Sequence, residues 1–122
     1  MKIYITHSKE FDFKEELYEP IRNSSLNLNN DIILPHEKDD NPFSSLEFIS
    51  HCDVVIGDVS YPSTGQGIEL GWADSKNIPI ICIYKEGRKI SNSLKMITNN
   101  IISYKNCQDM IVKLSEVLNN LP

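Results

Sequence analysis

The chain has 122 residues, with 12 Lys and Arg against 17 Asp and Glu, and hence a net charge of −5 at pH 7. This length predicts one domain over residues 1–122. The few basic residues, mixed with acidic ones, argue against a nucleic-acid polymer or an anionic membrane as the partner. No apolar run is as long as a membrane helix, and the N-terminus lacks a signal-peptide pattern, so we expect a cytoplasmic protein.

The first half of the chain alternates short apolar runs with amphipathic segments. Its predicted elements are strand, helix, strand, helix and strand, over residues 2–6, 12–23, 31–34, 44–51 and 54–58. Phe13, Leu17 and Ile21 recur at every fourth position, which predicts the first helix. Ser44, followed three residues later by Glu47, has the pattern of a capping box and predicts the start of the second helix.

The second half continues the alternation. Its predicted elements are helix, strand, helix, strand and helix, over residues 68–76, 80–84, 94–98, 101–104 and 108–119. The strands 54–58 and 80–84 are continuously apolar, as in a parallel sheet covered on both faces. The order therefore predicts an α/β fold, a doubly wound five-stranded parallel sheet of the flavodoxin or Rossmann-like type, in the order 2-1-3-4-5 with helices on both faces.

A ligand is expected at the carboxyl edge of such a sheet, where the strand order reverses between strands one and three. The loop after strand three is the most informative one there, since residues 58–73 read DVSYPSTGQGIELGWA. Amide groups at the start of the following helix can hold a phosphate or a sugar, although a tight turn would also use Gly65 and Gly67. Glu69, predicted in the first turn, either complements the helix dipole or is a carboxylate directed at the ligand.

Residues 53–73 resemble the core motif of the nucleoside 2-deoxyribosyltransferase-like family, which includes the 2′-deoxynucleoside 5′-phosphate N-hydrolases. Weaker matches lie at residues 3–5 and 87–91. The resemblance implies that Glu69 is the nucleophile of a G-x-E-L-G segment. It also implies that Tyr4 positions this carboxylate and the sugar.

The resemblance further implies a group of residues that bind the substrate. Ser8, Ser63 and Ser91 match serines that hold a 5′-phosphate in the hydrolase branch, where the last of them comes from the neighbouring subunit of a dimer. His7, near Ser8, is a candidate phosphate contact, and it could equally cap the turn after strand one. Gly65 and Gly67 complete the candidate substrate-binding loop.

Two positions depart from the family pattern. Ser45 stands where the family commonly has an aspartate that serves leaving-base protonation, so Asp58 or Glu47 is the candidate that assists departure of the base. Glu10 stands where the hydrolase branch has an arginine. An uncharged nucleoside therefore competes with a 5′-monophosphate as the expected substrate.

The implied activity is a retaining displacement that cleaves or exchanges the N-glycosidic bond of a (deoxy)nucleoside or its 5′-monophosphate through a glycosyl-enzyme intermediate. No cofactor and no metal ion are expected for it. The expected partners are a small nucleoside or nucleotide and a second copy of the chain, because 122 residues leave no room for a lid. We therefore predict a homodimer or a higher homo-oligomer.

Other functions stay open at this point. Residues 3–8 resemble the opening strand of TIR domains, some of which cleave NAD through a helix-borne glutamate. Ser45 in place of an aspartate suits a catalytically inactive nucleotide-binding module. Asp58 ends strand three as the phosphoacceptor of receiver domains does, but Thr6 and His7 stand where such domains need an acidic pair for Mg²⁺.

The remaining metal-binding and apolar side chains have simpler interpretations. The three cysteines, Cys52, Cys82 and Cys107, form no CxxC pair and are expected as buried thiols. Residues 36–40 read HEKDD and are expected to form a solvated loop and not a metal site. Ile68 and Trp72 are expected in the core or at a subunit interface.

Overall fold

A computed structural model describes residues 1–38 and 45–121 of the chain. Its centre is one five-stranded sheet with the strand order β2-β1-β3-β4-β5, and all four neighbouring pairs run parallel. The strands are β1 (Lys2–His7), β2 (Asp31–Ile33), β3 (Val54–Asp58), β4 (Ile80–Lys85) and β5 (Asn100–Tyr104). The predicted fold class and strand order are confirmed.

The described part of the chain has five α-helices, the last of which follows β5, and two further helical segments, one π-helical and one 3₁₀. The helices are α1 (Glu19–Arg22), α2 (Ser25–Asn29), α3 (Leu46–Ser50), α4 (Thr64–Ser75) and α5 (Cys107–Asn119). A π-helical segment, Lys14–Tyr18, runs directly into α1, and a 3₁₀ segment, Asn92–Met96, precedes β5.

The helix predicted over residues 12–23 is divided in the structure. Pro20 lies near the start of α1 and has no amide hydrogen, so the α-helical bond from position 20 to the Glu16 carbonyl is missing. The turn before it is π-helical instead. The short α2 was not predicted, because its residues, SLNLN, carry no extended apolar period.

The α3 helix begins at Leu46, with Ser45 at the N-cap position. The predicted capping box was wrong in its register, since it required Ser44 at the cap; Ser44 itself lies outside the described residues. The Ser45 side chain makes no cap hydrogen bond. It is buried close to the Tyr4 phenol.

The α4 helix begins four residues earlier than predicted. Ser63 is its N-cap, and the Ser63 hydroxyl accepts a hydrogen bond from the Gln66 amide at 3.4 Å. Gly65 and Gly67 therefore lie within the helix, and Glu69 lies in its second turn. The predicted place of Glu69 in the first turn was wrong, and of its two interpretations the helix-dipole one loses its basis, because that effect falls off within the first turn.

The sheet separates two hydrophobic clusters, as the alternation of side chains along a strand requires. On β1, Ile3 and Ile5 pack into the cluster that also holds the buried residues of α5, namely Met110, Leu114 and Leu118. Tyr4 packs into the opposite cluster, which holds Ile49 of α3 and the α4 residues Leu70 and Ala73. The two faces of the sheet thus meet different helices.

Candidate active site

A cleft of about 690 Å³ lies over the carboxyl ends of β1 and β3, where the strand order reverses. Its wall is formed by residues 7–10, which end and follow β1, and by residues 62–66, 68, 69 and 72, which end the β3–α4 loop and continue along α4. His36 and Ser45 also line the described part of the wall. This is the edge at which the sequence predicted a ligand.

Glu69 is held by two hydroxyl groups of β1. The Tyr4 phenol donates to Glu69 Oε2 at 2.7 Å, and the Thr6 hydroxyl donates to Glu69 Oε1 at 2.7 Å. Tyr4 and Thr6 are two residues apart on one strand, so both side chains face α4. The structure brings Tyr4 and Glu69 together, as expected, and adds Thr6, which the sequence interpretation missed.

Both donors are fully buried, whereas Glu69 is half-buried and lines the cleft. Burial and the neighbouring negative charge of Glu69 raise the pKa of the Tyr4 phenol far above its ordinary value. Tyr4 therefore keeps its proton and serves as a neutral donor throughout the physiological range. Two uncharged hydroxyl donors thus fix an accessible carboxylate.

Gln66 joins the first turn of α4 to the ends of two strands. Its side-chain amide donates to the Asp58 carbonyl at 2.6 Å and to the Thr6 carbonyl at 3.2 Å. Gly57 makes room for this arrangement, because a Cβ there would lie 3.3 Å from Thr6 Cγ2 and 3.5 Å from Gln66 Nε2. The sequence interpretation assigned Gln66 no role.

The residues after β1 form the part of the cleft expected to hold a phosphate. Ser8 is buried, and its hydroxyl accepts from the Glu10 amide at 3.0 Å. His7 Nδ1 donates to the Ser8 carbonyl at 2.8 Å, and Nε2 lies 2.6 Å from the Tyr18 hydroxyl. Burial lowers the pKa of His7, so the ring is neutral and Tyr18 donates to it.

Ser63 and Gly65 also line the cleft, and Ser63 is half-buried at the start of α4. Among the described residues, Lys9 is the cation on the cleft wall and Glu10 is the carboxylate other than Glu69. Ser8, Ser63, Gly65 and His7 are thus brought to the cleft of Glu69.

Asp58 is on the opposite face of the sheet. It follows Val54 and Ile56 at every second position of β3, and these residues belong to the cluster that faces α5. Its carboxylate accepts from the Tyr104 phenol at 2.6 Å and from the Ser60 amide at 3.0 Å, and the residue is 1% exposed. The expected placement of Asp58 beside the departing base was wrong, since the strand period directs the side chain away from the cleft.

Glu47 also lies outside the cleft. It is exposed on α3, beside a shallow depression formed with Lys2, Asp31 and Phe48. The expectation that Glu47 replaces the aspartate at the Ser45 position therefore has no geometric support. Ser45 itself is buried and lines the cleft.

Ser91 and Gly67 lie in an adjoining groove of about 360 Å³. This groove shares Pro62, Ser63 and Gln66 with the cleft, so the two are separated by the start of α4. Ser91 accepts from the Ser93 amide at 3.2 Å and is exposed. Within one chain, Ser91 does not line the cleft of Glu69.

Ile68 and Trp72 line the cleft together with Glu69. Ile68 is 50% exposed, so it does not lie in the core, and its other expected place, a subunit interface, stays a prediction. Trp72 is half-buried and also packs against the cluster of Tyr4. Both side chains give this wall of the cleft an apolar surface.

The cysteines divide by location. Burial raises the pKa of the Cys52 and Cys82 thiols to about 11, so both are protonated at neutral pH. Cys107 is exposed at the start of α5, where the prediction of a buried thiol was wrong.

Within residues 1–38 and 45–121, no three His, Cys, Asp or Glu side chains are grouped as metal ligands. The residues Asp39 and Asp40 of the predicted solvated loop lie outside this range. In the same part of the chain, no helix combines the length and apolarity needed to cross a membrane.

Sequence comparison finds no matching family model. Among curated proteins, the human 5-hydroxymethyl-dUMP N-hydrolase is 38% identical over 64 residues, which is 51% of this chain and 33% of that protein. A Syntrophotalea carbinolica protein, provisionally named 2′-deoxynucleoside 5′-phosphate N-hydrolase 1, is 35% identical over 52 residues, 43% of this chain and 37% of that protein. The chain thus spans about a third of the length of these relatives.

Comparison with solved structures shows the same fold over nearly the whole chain. The CMP N-glycosidase of Clostridium botulinum has a TM-score of 0.70 at 20% identity, covering 94% of this chain and 99% of that one. The 2-desoxiribosyltransferase from Leishmania mexicana also has a TM-score of 0.70, at 14% identity, covering 99% of both chains. The chain therefore has the fold of the nucleoside 2-deoxyribosyltransferase-like family, and the resemblance drawn from its sequence is confirmed.

Proposed function

We propose that this chain is an enzyme that cleaves or exchanges the N-glycosidic bond of a small nucleoside or nucleotide, with Glu69 as the nucleophile. The observation that carries the proposal is the half-buried Glu69 carboxylate, held by Tyr4 and Thr6 inside the cleft at the sheet edge. The names of the sequence relatives, which are N-hydrolases of nucleoside monophosphates, support the class of reaction.

In the first step, a Glu69 oxygen attacks C1′ of the sugar on the side opposite the base. The bond between C1′ and the base nitrogen breaks, its electron pair goes to that nitrogen, and the base takes up one proton from solvent as it leaves. The product is a glycosyl ester of Glu69. As Glu69 approaches, its negative charge stabilises the positive charge that develops on the sugar.

In the second step, water attacks C1′ and the ester oxygen leaves with its electron pair. This restores the Glu69 carboxylate, releases the free sugar and returns one proton to solvent. A second base attacking the same carbon gives a new nucleoside instead. Since Asp58 and Glu47 lie outside the cleft, we assign neither of them to protonation of the base.

The serines at the cleft bear on whether the substrate carries a 5′-phosphate. Ser8 and Ser63 offer hydroxyl groups for a 5′-phosphate, while Lys9 is the cation on the described part of the wall. Hydroxyl groups suit either a phosphate or a neutral sugar, because they donate hydrogen bonds without a full charge. We therefore propose both nucleosides and their 5′-monophosphates as the substrate class.

We also propose that the working form is at least a dimer in which Ser91 of a second copy completes the cleft. Ser91 lies in the groove next to its own cleft and is exposed. Exposed apolar side chains, among them Ile68 and Met96, offer contact area for a second copy.

The test is release of free base, or exchange to a second base, measured by liquid chromatography. The panel contains ribonucleosides, deoxynucleosides, their 5′-monophosphates and NAD. We expect turnover of at least one nucleoside or monophosphate. We expect Glu69→Gln, which keeps size and hydrogen-bonding shape, to lose about a thousandfold or more of the rate.

Glu47→Gln is the matched control, because it makes the same chemical change on an exposed carboxylate outside the cleft. It should keep the wild-type rate. Nucleotide binding measured by calorimetry, without turnover of any compound, would favour the inactive binding module. Ser45, in place of the family's aspartate, is the residue that suggests this alternative. Release of nicotinamide from NAD alone would favour the TIR-like alternative.

A further inference from the structure

We infer that Thr6 is a second positioning residue for the Glu69 carboxylate, with a role separate from that of Tyr4. The inference rests on the proposed function, in which Glu69 attacks the sugar. Its basis is the 2.7 Å hydrogen bond from the Thr6 hydroxyl to Glu69 Oε1, the oxygen that Tyr4 does not contact.

One donor would fix only one end of the carboxylate. With the phenol of Tyr4 on Oε2 alone, the group can still rotate about the bond that joins it to the side chain. A second donor on Oε1 defines the plane of the carboxylate and leaves one lone pair of each oxygen available to the cleft. Orientation of the attacking oxygen is therefore the specific contribution of Thr6.

Thr6 is itself held by its surroundings, as a positioning residue must be. It is fully buried, and its methyl group lies against the backbone of Gly57, where a Cβ would approach Cγ2 to 3.3 Å. Its carbonyl accepts from the Gln66 amide at 3.2 Å. The hydroxyl is the part of the side chain that points to Glu69.

The two hydroxyl donors differ in what else they do. Tyr4 contributes a large ring to the buried cluster and also interacts with Ser45, so its substitution mixes several effects. The Thr6 hydroxyl donates to Glu69, and replacing Thr6 by an isosteric residue without the hydroxyl isolates the positioning effect.

Two substitutions separate the hydroxyl from the methyl group. Thr6→Val removes the hydroxyl and keeps the shape that packs against Gly57, while Thr6→Ser keeps the hydroxyl and removes the methyl group. We expect Thr6→Val to lower kcat by about 10- to 100-fold with KM unchanged, since misplacing a reacting group by about 1 Å has an effect of this size. Thr6→Ser should keep a kcat close to that of the wild type, even where its melting temperature falls.

A wild-type kcat in Thr6→Val, or an equal loss of kcat in both variants, would overturn the inference. Crystal structures of the two variants provide a readout that does not depend on activity. We expect the Glu69 carboxylate to be rotated or in several orientations in Thr6→Val and unchanged in Thr6→Ser. An unchanged orientation of the Glu69 carboxylate in Thr6→Val would contradict the positioning role, whether or not the wild type is active. A wild type that turns over no compound would contradict only the proposed function.

Discussion

Among the described residues, two tyrosine phenols donate a hydrogen bond to a carboxylate. Tyr4 donates to Glu69 at 2.7 Å, and Tyr104 donates to Asp58 at 2.6 Å. The difference is access, since Glu69 lines the cleft while Asp58 is enclosed on the opposite face. The same local chemistry thus leaves one carboxylate open to the cleft, where we propose a catalytic role, and encloses the other in the core.

This difference predicts opposite effects for two equivalent substitutions. Tyr104→Phe removes a donor from a buried carboxylate, and we expect the free energy of unfolding to fall by about 1–3 kcal/mol. The rate of base release should stay at the wild-type level. Urea unfolding and the chromatographic assay measure the two quantities.

Tyr4→Phe is the comparison, and it should lower the rate of base release because Glu69 loses one of its two donors. If Tyr104→Phe were as stable as the wild type but inactive, we would conclude that Asp58 has a catalytic role after all.

The resemblance to a known motif predicted Glu69 and Tyr4, because both stand at motif positions. It could not predict the hydrogen bond from Thr6 to Glu69, which depends on which strand residues face α4. The register that pairs Thr6 with Gly57 decides this, and it also turns Asp58 to the other face. Strand alternation is visible in the sequence, but the pairing of two strands is not.

At the scale of elements, the connection between α4 and the sheet decides where the Glu69 carboxylate lies. Gln66 is 5% exposed and donates to carbonyl groups at the ends of β1 and β3. Glu69 follows three residues later, so it shares a helix face with this anchor. The first turn of α4 is thereby tied to the strand that supplies Tyr4 and Thr6.

We therefore expect Gln66→Leu to lower the free energy of unfolding by about 1–3 kcal/mol, because two buried carbonyl groups lose a donor. Gln108→Leu on α5 makes the same chemical change at an exposed position and should be nearly neutral. Urea unfolding of both variants tests this. Equal stability of the two would mean that the Gln66 amide does not anchor the helix.

Strand positions were predicted more closely than helix starts. The apolar runs gave β3 its observed bounds, Val54–Asp58, and placed β4 within one residue. The start of α4 was missed because Gly65 and Gly67 disfavour a helix locally. The helix start is stabilised by the Ser63 cap and by the Gln66 side chain, which donates to the distant Thr6 carbonyl of β1. Local preference predicts an element well only where no distant residue overrides it.

At the scale of the whole molecule, the cleft is open and its described wall leaves Ile68 half-exposed. Ser91, expected to bind substrate, lies beyond the start of α4 in a separate groove. Both features fit a site that a second copy completes. The length of the chain led us to predict a dimer, but it could not show where the second copy would contact the site.

The oligomer prediction follows from this geometry. Light scattering should give at least twice the 14.0 kDa mass of one chain under assay conditions. Dilution to the monomer should reduce the rate of base release per chain. A monomer that keeps full activity would show that one copy forms the complete site.

The central claim is that Glu69 itself becomes bonded to the sugar. The most direct measurement is the mass of the peptide that contains Glu69, after acid quenching of the enzyme during turnover and proteolysis. We predict an added pentosyl or deoxypentosyl group on Glu69, absent from the Glu69→Gln enzyme. A sugar bonded to a different residue, or a Glu69→Gln enzyme that releases base at the wild-type rate, would contradict the account.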